Sequence, residues 1–293
     1  MSLLLLVGNA TLDRINEVTH YPAEDEELRA VAHTVSSGGN AANSARILAQ
    51  AGHRCDFVGV LAADSAAGQI RQSLEQDGVR LEQVEVQATG CSPVSHIILN
   101  QANGSRTIIH HRDLPELSLT TLQALAWSRY DWLHFEGRNV EVLNSFLQDM
   151  HQQGRFDQTL SLEIEKLRPG VEQLIEWVDV VMFSQAYAQA LGHADAASLL
   201  QQQHQHYPEH SFTCTWGAEG AWAMDRLGEL WHQPAMPVAE VQDTLGAGDV
   251  FNAGLIHAMS SGQPLQEALA FAVQLAGAKV SRKGLTGWLA GLV

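Results

Sequence analysis

Asp243-Thr244-Leu245-Gly246-Ala247-Gly248-Asp249-Val250-Phe251-Asn252-Ala253-Gly254 is a turn of small residues that runs without a break into an apolar helical stripe at Phe251, Leu255 and Met259. Backbone amides can converge in such a turn because no bulky side chain stands between them. The first turn of the helix leaves its N–H groups unpaired, and the positive end of its dipole attracts negative oxygen. The stretch therefore reads as an anion hole with Gly246, Ala247 and Gly248 as its donors. Asp249 lies at the same helix start, where a carboxylate repels any phosphate that the amides attract. One reading makes it a helix cap. The other makes it a base: a hydroxyl lying between Asp249 and a terminal phosphate loses its proton to the carboxylate as its oxygen attacks in line.

Outward from this turn, the chain has a βα rhythm. Short apolar runs at 3–7, 56–60, 132–135, 159–164, 179–183 and 211–215 alternate with longer segments of helical period, which predicts a largely parallel sheet covered by helices. Asp64 is an N-cap for a helix through Ile70 and Leu74 that stops at Gly78, and Gly262 with Pro264 separates two C-terminal helices. In the second of these, Leu265, Leu269, Val273, Ala276 and Val280 recur at helical spacing and predict one buried face. Two stretches break the rhythm, residues 10–36 and residues 93–113. In the second, 94–100 and 105–111 flank Asn103-Gly104, a hairpin signal. Together they predict a small separate sheet, either a plain surface hairpin or a lid that closes over a substrate or pairs with a second copy. The remaining 1–293 reads as one domain carrying that insertion.

Composition narrows the partners. Among 293 residues, 33 Asp and Glu stand against 17 Lys and Arg, a net charge of −16, while 45% of the chain is hydrophobic. So few scattered cations do not assemble a surface that neutralises many phosphates, so nucleic acid is not an expected partner. The apolar start at 3–7 is too short for a signal peptide core or a membrane span and reads as a buried strand; no membrane association is expected. Cys55, Cys91 and Cys214 lie far apart without a C-x-x-C pair, which fits a reducing, cytoplasmic setting. The fourteen histidines bring no accompanying ligand motif and no metal-binding residues are assigned.

A second small-residue cluster, Ser37-Gly38-Gly39-Asn40-Ala41-Ala42-Asn43-Ser44-Ala45, precedes a helix through Leu48 that ends at Gly52. Asn40 and Asn43 lie on one side of its first turn, and their amides offer donors and acceptors together, as sugar hydroxyls require. Gly38 and Gly39 let the backbone approach a ligand, and Asp13, shortly after the first strand, supplies an acceptor-only carboxylate. An Asn cap and a Gly-Gly turn are the plain alternatives. Gly8-Asn9-Ala10-Thr11-Leu12-Asp13 lacks the G-x-G-x-x-G turn, so dinucleotide-dependent hydride chemistry is set aside.

On residues 38–45 and 243–254, the chain resembles the ribokinase-like (PfkB-type) carbohydrate kinases. Tyr21-Pro22-Ala23-Glu24-Asp25, Gly104-Ser105-Arg106-Thr107-Ile108, Glu136-Gly137-Arg138-Asn139 and Glu163-Ile164-Glu165-Lys166 resemble its fructose-phosphorylating members. The resemblance implies a ribokinase-like three-layer α/β/α fold with a mostly parallel central sheet and a small β-sheet lid at about 10–36 and 93–113. It also implies ATP-dependent transfer of a phosphoryl group to a primary hydroxyl of a ketose, fructose to fructose 1-phosphate. It places Asp13, Gly39, Asn40 and Asn43 around the sugar, with Asp25 reaching over from the lid, and Asp249 as the base. Gly246, Ala247 and Gly248 become the anion hole, and Arg106 and the loop Trp216-Gly217-Ala218-Glu219-Gly220 contact the nucleotide. Of Trp216, Trp222 and Trp231, only Trp216 is a site candidate. Arg138 either neutralises a phosphate or pairs with Glu136. Mg2+ is expected, with a monovalent cation such as K+ as a further candidate. Many relatives place the metal with an Asn-x-x-Glu motif, where this chain has Ser184-Gln185-Ala186-Tyr187; Glu163, Glu165 and Lys166 are the substitutes considered. A homodimer through the lid is implied as well. The alternatives are a kinase of ribose, another ketose or a nucleoside, and a non-catalytic sensor that keeps the fold.

Overall fold

The computed structural model describes residues 1–154, 157–287 and 289. Its central sheet has eight strands in the order Leu230–Gln233, Ala221–Met224, Ser211–Thr215, Val180–Ser184, Thr159–Ile164, Trp132–Glu136, Leu3–Val7 and Arg54–Val58. All pairings from Ser211–Thr215 to Arg54–Val58 are parallel, and the last two strands of the chain add an antiparallel edge. The continuous apolar first strand explains itself here. Leu4 and Leu6 face a core shared with helices Asn40–Gln50, Ala247–Ser260 and Leu265–Val280, whereas Leu5 and Val7 face the helices Val140–Gln152 and Ala196–His206 on the other side. A strand buried on both faces has no polar side to alternate with. This is the three-layer α/β/α arrangement expected.

Strands 3–7, 159–164 and 211–215 have the bounds that the apolar runs predict. The run expected at 56–60 instead forms Arg54–Val58 and then breaks at Gly59, where a side chain would meet the carbonyl of Gly8 at 2.6 Å. Beyond the break, Val60–Ala62 leaves the main sheet and pairs with Glu85–Gln87. Asp64 caps Ser65–Gln76 by accepting from the amide of Ala67, as predicted. In Leu265–Val280 the buried stripe starts at Leu265, Leu269 and Val273 but continues through Ala272, Leu275 and Lys279, leaving Ala276 and Val280 only half-buried.

The two stretches that depart from the βα rhythm meet in a four-stranded sheet ordered Ala32–Gly38, Thr11–Val18, Cys91–Asn100 and Arg106–Asp113. Cys91–Asn100 and Arg106–Asp113 are the hairpin, antiparallel across the Asn103-Gly104 turn. Thr11–Val18 leads directly from the first strand of the main sheet, and Ala32–Gly38 leads directly into helix Asn40–Gln50. The small sheet is thereby anchored beside the carboxyl ends of the parallel strands, where open α/β sheets place ligands.

Candidate active site

Gly246 takes a left-handed φ of 77° and is the N-cap of Ala247–Ser260. Gly248 follows in the first turn with nothing within 4 Å of the place a Cβ would occupy. Among the described residues the amides of Gly246 and Gly248 donate to no protein group. The Ala247 amide departs from expectation: it turns to the carbonyl of Thr244 at 3.3 Å, closing the turn from inside. Two amides with no protein acceptor among the described residues therefore stand at the positive end of a 14-residue helix.

Asp249 is the third helical residue and does not cap the helix. Its Oδ2 accepts a 2.7 Å hydrogen bond from Nδ2 of Asn43, and its carbonyl accepts one from Oγ of Ser44 at 3.2 Å, so the two small-residue clusters, 206 residues apart, meet at this carboxylate. Burial pushes the Asp249 carboxyl up to about 7; the bond from Asn43 opposes the rise, and the charges of Glu165, Glu136 and Asp13 add to it. A carboxylate poised near neutrality is suited to take a proton during turnover and release it afterwards.

Asn43 sits on helix Asn40–Gln50, which can start where it does because Gly39, at φ 101°, passes directly against the carbonyl of Asn9. The remaining oxygen of Asn43, Oδ1, is buried without a partner. Asn40 presents less than expected: its Nδ2 is shared between Glu163 Oε1 and Glu165 Oε2, each at 3.1 Å. Asp13 is buried beside Gly38 and accepts from Thr11 Oγ1 at 2.8 Å. Burial raises its carboxyl, and hydrogen bonds from Thr11 and Ser95 hold the rise in check.

Glu136 and Glu163, paired across adjacent parallel strands, bring further acid to the same place. Glu163 is driven well above the ordinary carboxylate range by burial and then by the charges of Asp249, Glu136 and Glu165, and its Oε2 has no partner. Glu136 accepts the amide of Asn9 at 2.8 Å and pairs with Arg138 at 3.2 Å, which also reaches Glu116 at 3.0 Å. Arg138 is thus the ion-pair partner of Glu136 rather than a free cation. Sequence reasoning names Glu163 among the substitutes for placing the metal and Glu136 as a partner of Arg138, but not the buried acid cluster that the two form beside Asp249. Their common position at the carboxyl ends of strands was the available signal.

On the other side of the turn, Nη1 of Arg106, from the outer strand of the small sheet, donates to Oγ1 of Thr244 at 2.7 Å. The loop after Ser211–Thr215 holds Gly217, Ala218 and Glu219 exposed in a single turn of 3-10 helix, closed by a bond from the amide of Trp216 to the carbonyl of Gly220 at 2.7 Å. The Trp216 ring, a candidate for nucleotide contact, is instead packed into the hydrophobic core, so only its backbone is accessible at this loop. Ser184, in place of the Asn of the family motif, caps the helix Gln185–Ala190 and donates to the carbonyl of Glu165 at 2.6 Å. Lys166 is exposed and lies 3.5 Å from Glu165. Asp25 is exposed on a turn at φ 63° and makes no side-chain hydrogen bond to the residues gathered around Asp249.

Residues 1–289 match the family described as pfkB family carbohydrate kinase. The chain is 38% identical over 291 residues to the ketohexokinase of Mus musculus, covering 97% of this chain and 98% of that one. Among solved structures, the Arabidopsis thaliana ribokinase complexed with ribose and ATP superposes with a TM-score of 0.79 at 22% identity, covering 97% of this chain and 94% of that one. The ribokinase of Thermotoga maritima does so with a TM-score of 0.76 at 21% identity, covering 97% and 95%.

Proposed function

The chain belongs to the pfkB family of carbohydrate kinases, phosphotransferases that act on a sugar hydroxyl, and from that premise we propose that it transfers the γ-phosphoryl group of ATP to the primary hydroxyl at carbon 1 of fructose. The observation that carries this reading is the Asn43–Asp249 contact beside two unengaged amides. Asn43 holds Oδ2 of Asp249 and fixes the carboxylate's orientation, so the other oxygen accepts the proton of the sugar hydroxyl. As that proton moves, the hydroxyl oxygen forms a bond to the γ-phosphorus and the bond to the β-phosphate oxygen breaks, releasing ADP. The Gly246 and Gly248 amides hold the migrating phosphoryl group, and Asp13, with the free oxygens of Asn40 and Asn43, aligns the hydroxyls. Ketohexokinase, at 38% identity over nearly the whole chain, supports a ketose as acceptor.

The buried, unpartnered Oε2 of Glu163 and the neighbouring Glu165 are the oxygen donors suited to Mg2+ or its water shell. Bound there, the ion would neutralise charge on the nucleotide phosphates. Arg106 and the 217–220 loop are the nucleotide contacts in this reading. The small sheet acts as a lid, and its exposed Val35, Ile108 and Ile109 are where a second copy would pair in a homodimer. Among the described residues no helix is long and apolar enough to cross a membrane; a cytoplasmic enzyme is proposed.

Sugar-dependent ADP release measured across ketoses, aldoses, pentoses and nucleosides, followed by NMR of the best product, tests the assignment. Fructose is expected to give the highest kcat/KM, with phosphate on carbon 1. A preference for ribose or a nucleoside would replace the acceptor, and nucleotide binding without sugar-dependent turnover would make the protein a sensor.

A further inference from the structure

Lys279 is a lysine inside the buried stripe of helix Leu265–Val280, with none of its side chain exposed. Its Nζ lies in a cage of three oxygens: Asp243 Oδ2 at 2.8 Å, Asp243 O at 2.9 Å and Arg282 O at 3.3 Å. Asp243 opens the turn that presents the Gly246 and Gly248 amides, and it is a hub. Its Oδ1 accepts the amide of Leu245 at 2.9 Å, and its Oδ2 also accepts that of Gly284 at 3.1 Å. The amides of Gln242 and Asp243 in turn donate to the carbonyl of Val280, the residue after Lys279. One ammonium group thus ties the entry of the phosphate turn to the end of a helix that is itself packed along Ala247–Ser260.

Burying an ion pair gains little stability over a well-packed apolar pair, so stability alone does not account for a charge at this position. What the ammonium does specifically is fix Asp243, through Asp243 the amide of Leu245, and so the placement of the turn one residue further on. Donors that stabilise a transferring phosphoryl group act only if they are already in place, and displacement by about 1 Å costs on the order of 100-fold in rate. We propose that Lys279 is a positioning residue for phosphoryl transfer, a monovalent cation tethered within the chain that holds the anion-hole turn in its working geometry. The proposal rests on reading the Gly246 and Gly248 amides as the phosphoryl cradle. It also assigns the cage to the chain's own ammonium rather than to a free ion such as K+, which would enter only if the side chain were removed.

The test compares Lys279→Met, which fills the space without charge, with Lys279→Ala, which empties it. Hydrogen exchange of the peptide covering 243–249 is expected to quicken at least about tenfold in both variants, while that of helix Asn40–Gln50 stays unchanged. In turnover, kcat is expected to fall about 10- to 100-fold with the KM for sugar held within about threefold. Methylammonium or ammonium should restore at least about tenfold of the Lys279→Ala loss and leave wild type and Lys279→Met unaffected. Unchanged exchange over 243–249, or an Ala variant that keeps wild-type kcat, would overturn the proposal, as would a Lys279→Ala loss that neither cation restores. Should the single variants fail to fold, the double variant K279M/D243N, which leaves no unpaired buried charge, carries the same exchange and kcat measurements. The exchange measurement needs no turnover, so a wild-type protein that released no ADP with any sugar would sink the kinase reading while this test still returned its answer.

Discussion

The two glycine-containing turns before helices Asn40–Gln50 and Ala247–Ser260 look alike as sequence and are small for opposite reasons. Around Gly39 the space is filled by the protein: the residue sits at φ 101° and a side chain would run into the backbone of Asn9. Around Gly248 the space is empty to 4 Å, and its amide donates to nothing among the described residues. The first turn is small so that the chain can pack against itself and deliver Asn43 to Asp249; the second leaves open space, which the proposed function fills with the phosphoryl group. A run of small residues therefore reports close approach, and only the surroundings say whether the visitor is backbone or ligand.

The largest effect is expected where the two turns meet. Asp249→Asn should leave the fold and nucleotide binding intact and lower kcat by about two to four powers of ten, the range general-base removal spans, measured as sugar-dependent ADP release with the best acceptor. A variant within tenfold of wild type would remove the carboxylate from the chemistry. The same residue ties activity and stability to pH in opposite directions. With its folded pKa near 7, kcat/KM for sugar should fall as pH drops below about 7, because the carboxyl of the free protein is then protonated. Its stability contribution has the other sign. The folded protein holds this proton more tightly than the unfolded chain does, so the contribution is complete below the ordinary Asp range and is lost as pH rises through about 7. Asp249→Asn, which never ionises, should accordingly melt higher than wild type at pH 8, and a lower melting point there would contradict the burial argument.

Substituting alanine at the two glycines separates their roles directly. Gly39→Ala forces a side chain into a filled, left-handed position and is expected to cost about 2–4 kcal/mol in chemical denaturation, activity falling with folded fraction. Gly248→Ala adds a methyl to open space in the first turn of a helix, where alanine is favoured by up to about 1 kcal/mol, so stability should hold or rise. On the proposed function its kcat/KM for ATP should nevertheless drop about 10- to 100-fold, because the methyl would stand where that reading brings the phosphoryl group. Reversal of the two outcomes would mean that the open space at Gly248 is not a ligand path.

Asn43→Ala probes the contact between the turns with a smaller expected effect. Losing the one charge-assisted hydrogen bond that Asn43 donates to the Asp249 carboxylate should raise the KM for sugar about tenfold and move the acid limb of the kcat/KM profile to higher pH, since that bond is what opposes the rise in proton affinity. A profile shifted to lower pH would show that Asn43 does not stabilise the ionised base.

How much of this was open to sequence reading follows from the range over which each signal acts. Strands such as 159–164 and 211–215 were legible because burial on both faces writes an uninterrupted apolar run. The strand expected at 56–60 ends instead at Val58 because its end is set by the passage of Gly59 over Gly8, a contact between distant segments. Asp249 and Asn43 were legible singly, each at the head of a small-residue helix, but nothing local says that they touch. Glu136 and Glu163 are 27 positions apart and become neighbours only through parallel pairing. Lys279 was hidden for a different reason. A lysine at the margin of an apolar stripe reads as a side chain reaching for water, and the acceptors that hold it inside come from Asp243 and Arg282, which are not marked as its partners by any spacing.

The smallest expected effect concerns the join between the small sheet and the turn that leads into Ala247–Ser260. Arg106, expected to contact nucleotide, here gives a donor to the hydroxyl of Thr244. If it must exchange that acceptor for a phosphate oxygen when ATP binds, the Thr244 bond competes with the nucleotide. An exposed hydrogen bond from a charged group contributes about 1 kcal/mol or less, so Thr244→Val should lower the KM for ATP by about two- to threefold and leave kcat unaltered. A KM raised by Thr244→Val would instead mean that Thr244 orients Arg106 toward the nucleotide. The latch would then belong to the bound state, and the small sheet and the turn would have to be treated as one preassembled surface rather than two parts that meet on closure.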